Sequence, residues 1–133
     1  MTPLRKAILA VVLTAAAMTG KAANRAQTIF IYGFAASFND STVYLTDLQT
    51  LDSAYIDSRT KFLYSRENYS YQLQDYLATQ GYEHAVCVCS FALNRKEAEK
   101  KYLKLRKRYI DGGKFNIKYL KPTDFSFHAI KPE

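Results

Sequence analysis

His84–Leu120 reads HAVCVCSFALNRKEAEKKYLKLRKRYIDGGKFNIKYL, and how it parses decides the fold. Ala85–Phe91 is a short run rich in small and β-branched residues, which fits a strand buried on both faces. Ala85, Cys87, Cys89 and Phe91 share one face; Val86, Val88 and Ser90 share the other. Asn94 stands where an N-cap belongs, and Glu97 follows at capping-box spacing. Ala98, Tyr102, Leu105 and Tyr109 then recur at i, i+4, i+7 and i+11, one stripe of an amphipathic helix. Gly112-Gly113 ends that helix. Lys114–Leu120 alternates, with Phe115, Ile117 and Tyr119 inward and Asn116 and Lys118 outward, a strand with one wet face. Strand, helix, strand is a crossover unit, so its two strands run parallel.

Upstream, Gln27–Ser37 (QTIFIYGFAAS) is rich in β-branched and aromatic residues and apolar on both faces, which suits an interior strand. Asn39-Asp40-Ser41 is turn chemistry, and Thr42–Gln49 resumes the strand pattern, predicting a β-hairpin. Thr50–Tyr64 carries no clear period; a short helix and an ordered loop both fit it. Ser65 looks like an N-cap, and Tyr69, Leu73, Tyr76 and Leu77 form the stripe of a second helix that Gly81 terminates. Downstream, FSFHAI reads as a last strand on an edge. The order is β-β-α-β-α-β, with that further strand at the end. The expected fold is an α/β (α+β) two-layer sandwich with a ferredoxin-like layout, in which two helices cover one face of a mixed sheet of 4–5 strands. The other face would then lie open.

The chain has 133 residues, and its N-terminus reads as a leader. Arg5 and Lys6 precede Ala7–Met18 (AILAVVLTAAAM), an apolar run too short to span a membrane at about 20 residues per span. Small residues at Gly20 and Ala22 predict a secretory signal peptide over residues 1–22, cut after Ala22, with Ala26 the second choice. A single domain, 23–133, remains. Losing Arg5, Lys6 and Lys21 lowers the net charge from +7 to +4. The predicted localisation is exported, periplasmic or secreted, with no transmembrane segment after cleavage. Export and the modest charge both argue against nucleic acid as a partner. Cys87 and Cys89, two apart in one strand, project in parallel and fit buried thiols better than a disulfide.

Lys96, Lys100, Lys104 and Lys107 fall within one arc of the second helix, opposite its Tyr102 stripe. They are the candidate surface for an anionic partner: cell-wall polymer, membrane headgroups or an acidic protein. A solvated helix face explains the same lysines. Tyr32 and Tyr44, near Lys118, are candidates to line the open sheet face, where an aromatic platform would dock sugar or peptide. A homodimer through that face is the other possibility. Asp47, Asp52 and Asp57 cluster in sequence and could suggest glycan hydrolysis, but cap and turn duty is the preferred reading of them. His84, His128 and the two cysteines lack metal-site spacing, and no nucleophile elbow, zinc-protease, P-loop or dinucleotide motif occurs. No catalytic residue, cofactor or metal is expected.

Val86-x-Val88-x-Ser90-Phe91, followed by Asn94-Arg95 and Ala98, resembles the strand–helix opening of a SPOR (sporulation-related) domain, over about residues 84–120. That resemblance implies a small envelope module that binds peptidoglycan strands stripped of stem peptides. Cys89 stands where that family usually has Gly, and a hairpin and helix precede the unit, so no binding residue is carried over. As a whole, YGFAASFNDSTVYLTD with NRKEAEKKYLKLRKRY is similar to small exported proteins without an assigned function. The expected function is a non-enzymatic macromolecular interaction module of the cell envelope. A SPOR-like glycan binder and a small envelope glycan hydrolase are the alternatives.

Overall fold

A computed structural model describes residues 23–133. The predicted leader, Met1–Ala22, lies outside the described residues. The sheet is organised around one long strand, β1 (Asn24–Ser37). β2 (Thr42–Thr46) and β3 (Gln49–Asp57) run end to end, antiparallel, along one edge of β1. A register shift between Gln27 and Ile29 bends that pairing, as a bulge does. β4 (Ala85–Ala92) runs antiparallel along the other edge, unbroken from Phe30↔Ala92 to Ser37↔Ala85. β5 (Asn116–Leu120) pairs parallel with β2. The sheet is therefore mixed and five-stranded. With helices α1 (Arg66–Thr79) and α2 (Arg95–Ile110) it makes an α+β fold. The ferredoxin-like order is matched only in part. β4 and β5 share a direction, but β1 and β2 lie between them.

The helices do not share a face, which corrects the expected two-layer arrangement. Ile29, Ile31, Gly33 and Ala35 alternate onto one side of β1, where α1 buries Tyr69, Leu73 and Leu77. Phe30, Tyr32 and Phe34 alternate onto the other side, where α2 lies. Tyr102 meets Tyr32 edge to face at 5.1 Å, Tyr109 meets Phe34 at 4.8 Å, and the Arg95 guanidinium sits over Phe30. The reason is in β1 and β2 themselves. β1 is apolar on both sides over Ile29–Ala36, and all five residues of β2 are buried. A sheet with two apolar faces needs cover on both.

The segment without a legible period, Thr50–Tyr64, is mostly β3. It ends in a turn where the Asp57 carboxylate accepts N–H bonds from Arg59 and Thr60, both at 2.8 Å. Leu63 then bridges back to Ile56. The expected final strand does not join the backbone ladder. Phe125 and Phe127 are buried on the α1 side, and glutamine side chains stand in for a strand partner. Gln49 donates to the Phe125 carbonyl at 2.9 Å and accepts from the Phe127 N–H at 2.8 Å. Gln72 does the same for both groups of His128, each at 2.9 Å.

Asn94 caps α2 as expected, accepting from Lys96 and Glu97 N–H groups at 2.8 and 3.3 Å. Ser65 occupies the cap position of α1, but at φ 59° and without a side-chain cap bond. Cys87 and Cys89 are free thiols, the second buried; burial pushes the Cys87 thiol up to about 11. Among the described residues no helix is long and apolar enough to cross a membrane.

Candidate functional site: the basic face of α2 and its adjoining cleft

α2 is basic because its outward residues are lysines, and it is anchored because its inward residues are aromatic. Ala98 is fully buried, and the Tyr102 hydroxyl donates to the Thr46 carbonyl at 2.7 Å. Burial, helped by the nearby Asp47 charge, pushes Tyr102 up to about 12. Arg106 lies between two rings, 5.9 Å from Tyr102 and 5.4 Å from Tyr119, so its charge is held against the sheet. Arg95 pairs with Glu99 at 3.1 Å. That ion pair is the only one formed among the described residues.

The predicted Lys96, Lys100, Lys104 and Lys107 are all exposed. At about 100° per residue they fall within an arc of roughly 80°, over about 16 Å of helix. Leu103, 58% exposed, lies on the same side, so the surface joins four ammonium groups to an apolar spot. The acids along the helix are Glu97, Glu99 and the C-cap Asp111, and Glu99 is engaged by Arg95.

Beside the first turns of α2 is a cleft of about 600 Å³. Its walls are the Thr60–Arg66 loop, the C-terminal end of β4 and the α2 residues Glu97 and Lys101. Phe62 stands 73% exposed at its rim. Lys61 and Ser65, on either side of Phe62-Leu63-Tyr64, hold φ of 63° and 59°. Left-handed backbone at non-glycine residues costs of order 1 kcal/mol each, and such strain gathers at functional loops. Arg66 lies over the Phe91 ring at 5.7 Å and donates to the Cys89 carbonyl at 3.0 Å. The cleft thus sets aromatic surface beside Lys61, Arg66 and Lys101, with Glu97 as its only acid.

The other predicted residues are not brought together as expected. Tyr32 is buried under α2, and Tyr44 is buried on the opposite face, 5.1 Å from the ring of Tyr82. The helices cover the sheet where these tyrosines lie, so neither lines an open face, while on the α2 side Val86 and Val88 of β4 stay 45% and 52% exposed. Lys118 is on the Tyr44 side, its ammonium 5.3 Å above the Tyr82 ring. Tyr44, Tyr82 and Lys118 do border one small hollow, with Asp40. Asp47, Asp52 and Asp57 form no pair. Each lies five residues from the next along the β2–β3 path, about 16 Å at strand rise. The N–H bonds from Thr60 and Arg59 hold the Asp57 carboxyl below the usual range and commit it to the turn.

Sequence reasoning missed Lys61, Phe62, Arg66 and Phe91. Phe62 alone carried a signal, an aromatic next to a lysine in a stretch without helix or strand period. The fold and this surface define a class: an α/β sandwich with a basic helix on its outside. The chain matches no protein-family model, and neither a curated protein nor a solved structure shows significant similarity to it.

Proposed function

We propose that the chain is an exported, non-enzymatic interaction module of the cell envelope, which holds an anionic macromolecule against the outer face of α2. The observation that supports this is the arc of Lys96, Lys100, Lys104 and Lys107, exposed together and without carboxylate partners. Lysines on flexible stems act as point charges rather than geometric forks. They suit a partner with repeated negative charge better than a single small anion. A glycan strand carrying carboxylates is one such partner, and the SPOR-like strand–helix unit favours it. An acidic envelope protein is the other, and the aromatic cleft beside Lys101 would give its side chains an apolar anchor.

The test is co-sedimentation with purified sacculi, alongside an affinity pull-down from envelope extract, each at two salt concentrations. Glutamate at Lys96, Lys100, Lys104 and Lys107 should abolish capture, and raising the salt should weaken the wild type. Capture of sacculi identifies the glycan arm; capture of a protein alone identifies the other. Binding that ignores both charge reversal and salt overturns the reading.

A further inference from the structure

The outer edge of β4 is unlike the other edges of the sheet. β4 pairs only with β1, over eight residues without a bulge. Its sequence, AVCVCSFA, has no charge and no proline. Those are the devices by which edge strands normally avoid pairing. β5, by contrast, is five residues long and carries Lys118, and β3 is partly closed by the Ile56↔Leu63 bridge.

The hydrogen bonds show which groups of β4 face outward. Gly33 sends its N–H away from β4, to the Thr46 hydroxyl at 2.8 Å on the β2 side. Its partner Cys89 therefore points its own N–H and C=O away from β1. The Phe38 N–H bond to the His84 carbonyl, 2.8 Å, fixes the same phase from the other end. Ala85, Cys87, Cys89 and Phe91 thus present their backbone groups to the outside. Among them the Cys89 carbonyl is covered by Arg66.

We infer that this edge pairs with a second copy of the chain, β4 against β4, antiparallel about a two-fold axis through Cys87. Two features select that partner and that register. Val86 and Val88, 45% and 52% exposed on the α2 side, fall opposite each other's copies, so each apolar side chain is covered by its complement. Cys87 then exchanges two backbone bonds with its own copy, and Ala85 bonds the partner's Cys89. The Ala85 N–H of one copy replaces Arg66 on the Cys89 carbonyl of the other. Glu83 comes opposite Phe91, beside the freed Arg66, and the ion pair forms twice. A register centred on Val88 would set Val86 against Ser90 and move Glu83 past Phe91. The two α2 helices lie on one face of the joined sheet, so the dimer offers two basic surfaces to one partner, a route to avidity.

Analytical ultracentrifugation of the purified exported chain across the micromolar range tests this, since an edge of this size supports a transient interface. The expected result is a reversible dimer. Val88→Lys should give a monomer with unchanged circular dichroism. Glu83→Arg should weaken association roughly tenfold, and adding Arg66→Glu should restore it. A strict monomer throughout the range overturns the inference, as does a dimer indifferent to Val88→Lys and Glu83→Arg. If Val88→Lys does not fold, the charge exchange decides alone. These readouts need no envelope partner, so they stand apart from the proposed function.

Discussion

Gly33→Ala should destabilise the protein, against the usual sign for such a change in a strand. A Cβ at Gly33 would sit 2.8 Å from Leu73 Cδ2, 3.0 Å from Phe127 Cζ and 3.4 Å from Thr46 Cγ2. Leu73 is fully buried, and Phe127 is nearly so. Neither side chain has free space to retreat into. Alanine in place of glycine would gain about 0.5–1 kcal/mol through the unfolded chain and strand propensity. Forcing one carbon into a packed core costs about 1–3 kcal/mol. The net loss should be about 1–2 kcal/mol, a fall of roughly 5–10 °C in Tm for a domain of this size. Urea titration of wild type and variant measures it. Leu73→Ala alone should cost about 2–5 kcal/mol. Added to Gly33→Ala it should cost less, because it makes room for the new methyl; the cycle should show coupling of at least about 0.5 kcal/mol. A Gly33→Ala variant as stable as the wild type, or a cycle without coupling, would refute the claim that α1 and the C-terminal segment close on β1 at this glycine.

The two glutamine clamps should differ: Gln49→Ala should cost about 2 kcal/mol, because it strands half-buried backbone groups of Phe125 and Phe127, and Gln72→Ala under about 1 kcal/mol, because its bonds are exposed. Equal losses in denaturant titrations would contradict that account. Tyr102, raised from 10.0 to about 12 in the folded chain, stabilises the fold fully below pH 10 and loses that contribution as pH climbs through about 12. Tyr102→Phe should therefore flatten alkaline unfolding between those limits while lowering stability at neutral pH by about 1 kcal/mol for the lost bond to Thr46.

Where the sequence is periodic, it predicts its own structure. Tyr119, expected inward on β5, is instead 44% exposed, but the Tyr69–Leu73–Leu77 stripe and the Asn94 cap stand in the fold as read. Each rests on contacts or bonds within a few residues. Failures come where distant parts of the chain supply the partner. β3 hid because a register shift puts both Asp52 and Ser53 between inward Leu51 and inward Ala54, which breaks the period of two, and its pairing with β1 is one no local pattern reveals. The final segment looked like a strand because Phe125 and Phe127 alternate, and they are indeed buried. Its partners, however, are side-chain amides of Gln49 and Gln72, residues that nothing nearby marks as special.

Which helix covers which side of the sheet is not legible for a different reason, and the same reason fixes the candidate site. β1 was visibly apolar on both sides, and the two helical stripes were visible too. What periodicity does not carry is which stripe goes to which side. Gly33 decides it: only a residue without a side chain lets Leu73 of α1 approach β1 so closely, which assigns α1 and the Phe125–Phe127 segment to its face. The bulky Tyr32 and Phe34 then require aromatic partners on the reverse, and α2 supplies Tyr102 and Tyr109. Once α2 is seated by those rings, its rotation is set, and the lysines on the opposite arc have only solvent to face. The basic surface is thus a consequence of the core beneath it. Substitutions that loosen the Tyr32–Tyr102 contact should blur the lysine arc without touching a single charge.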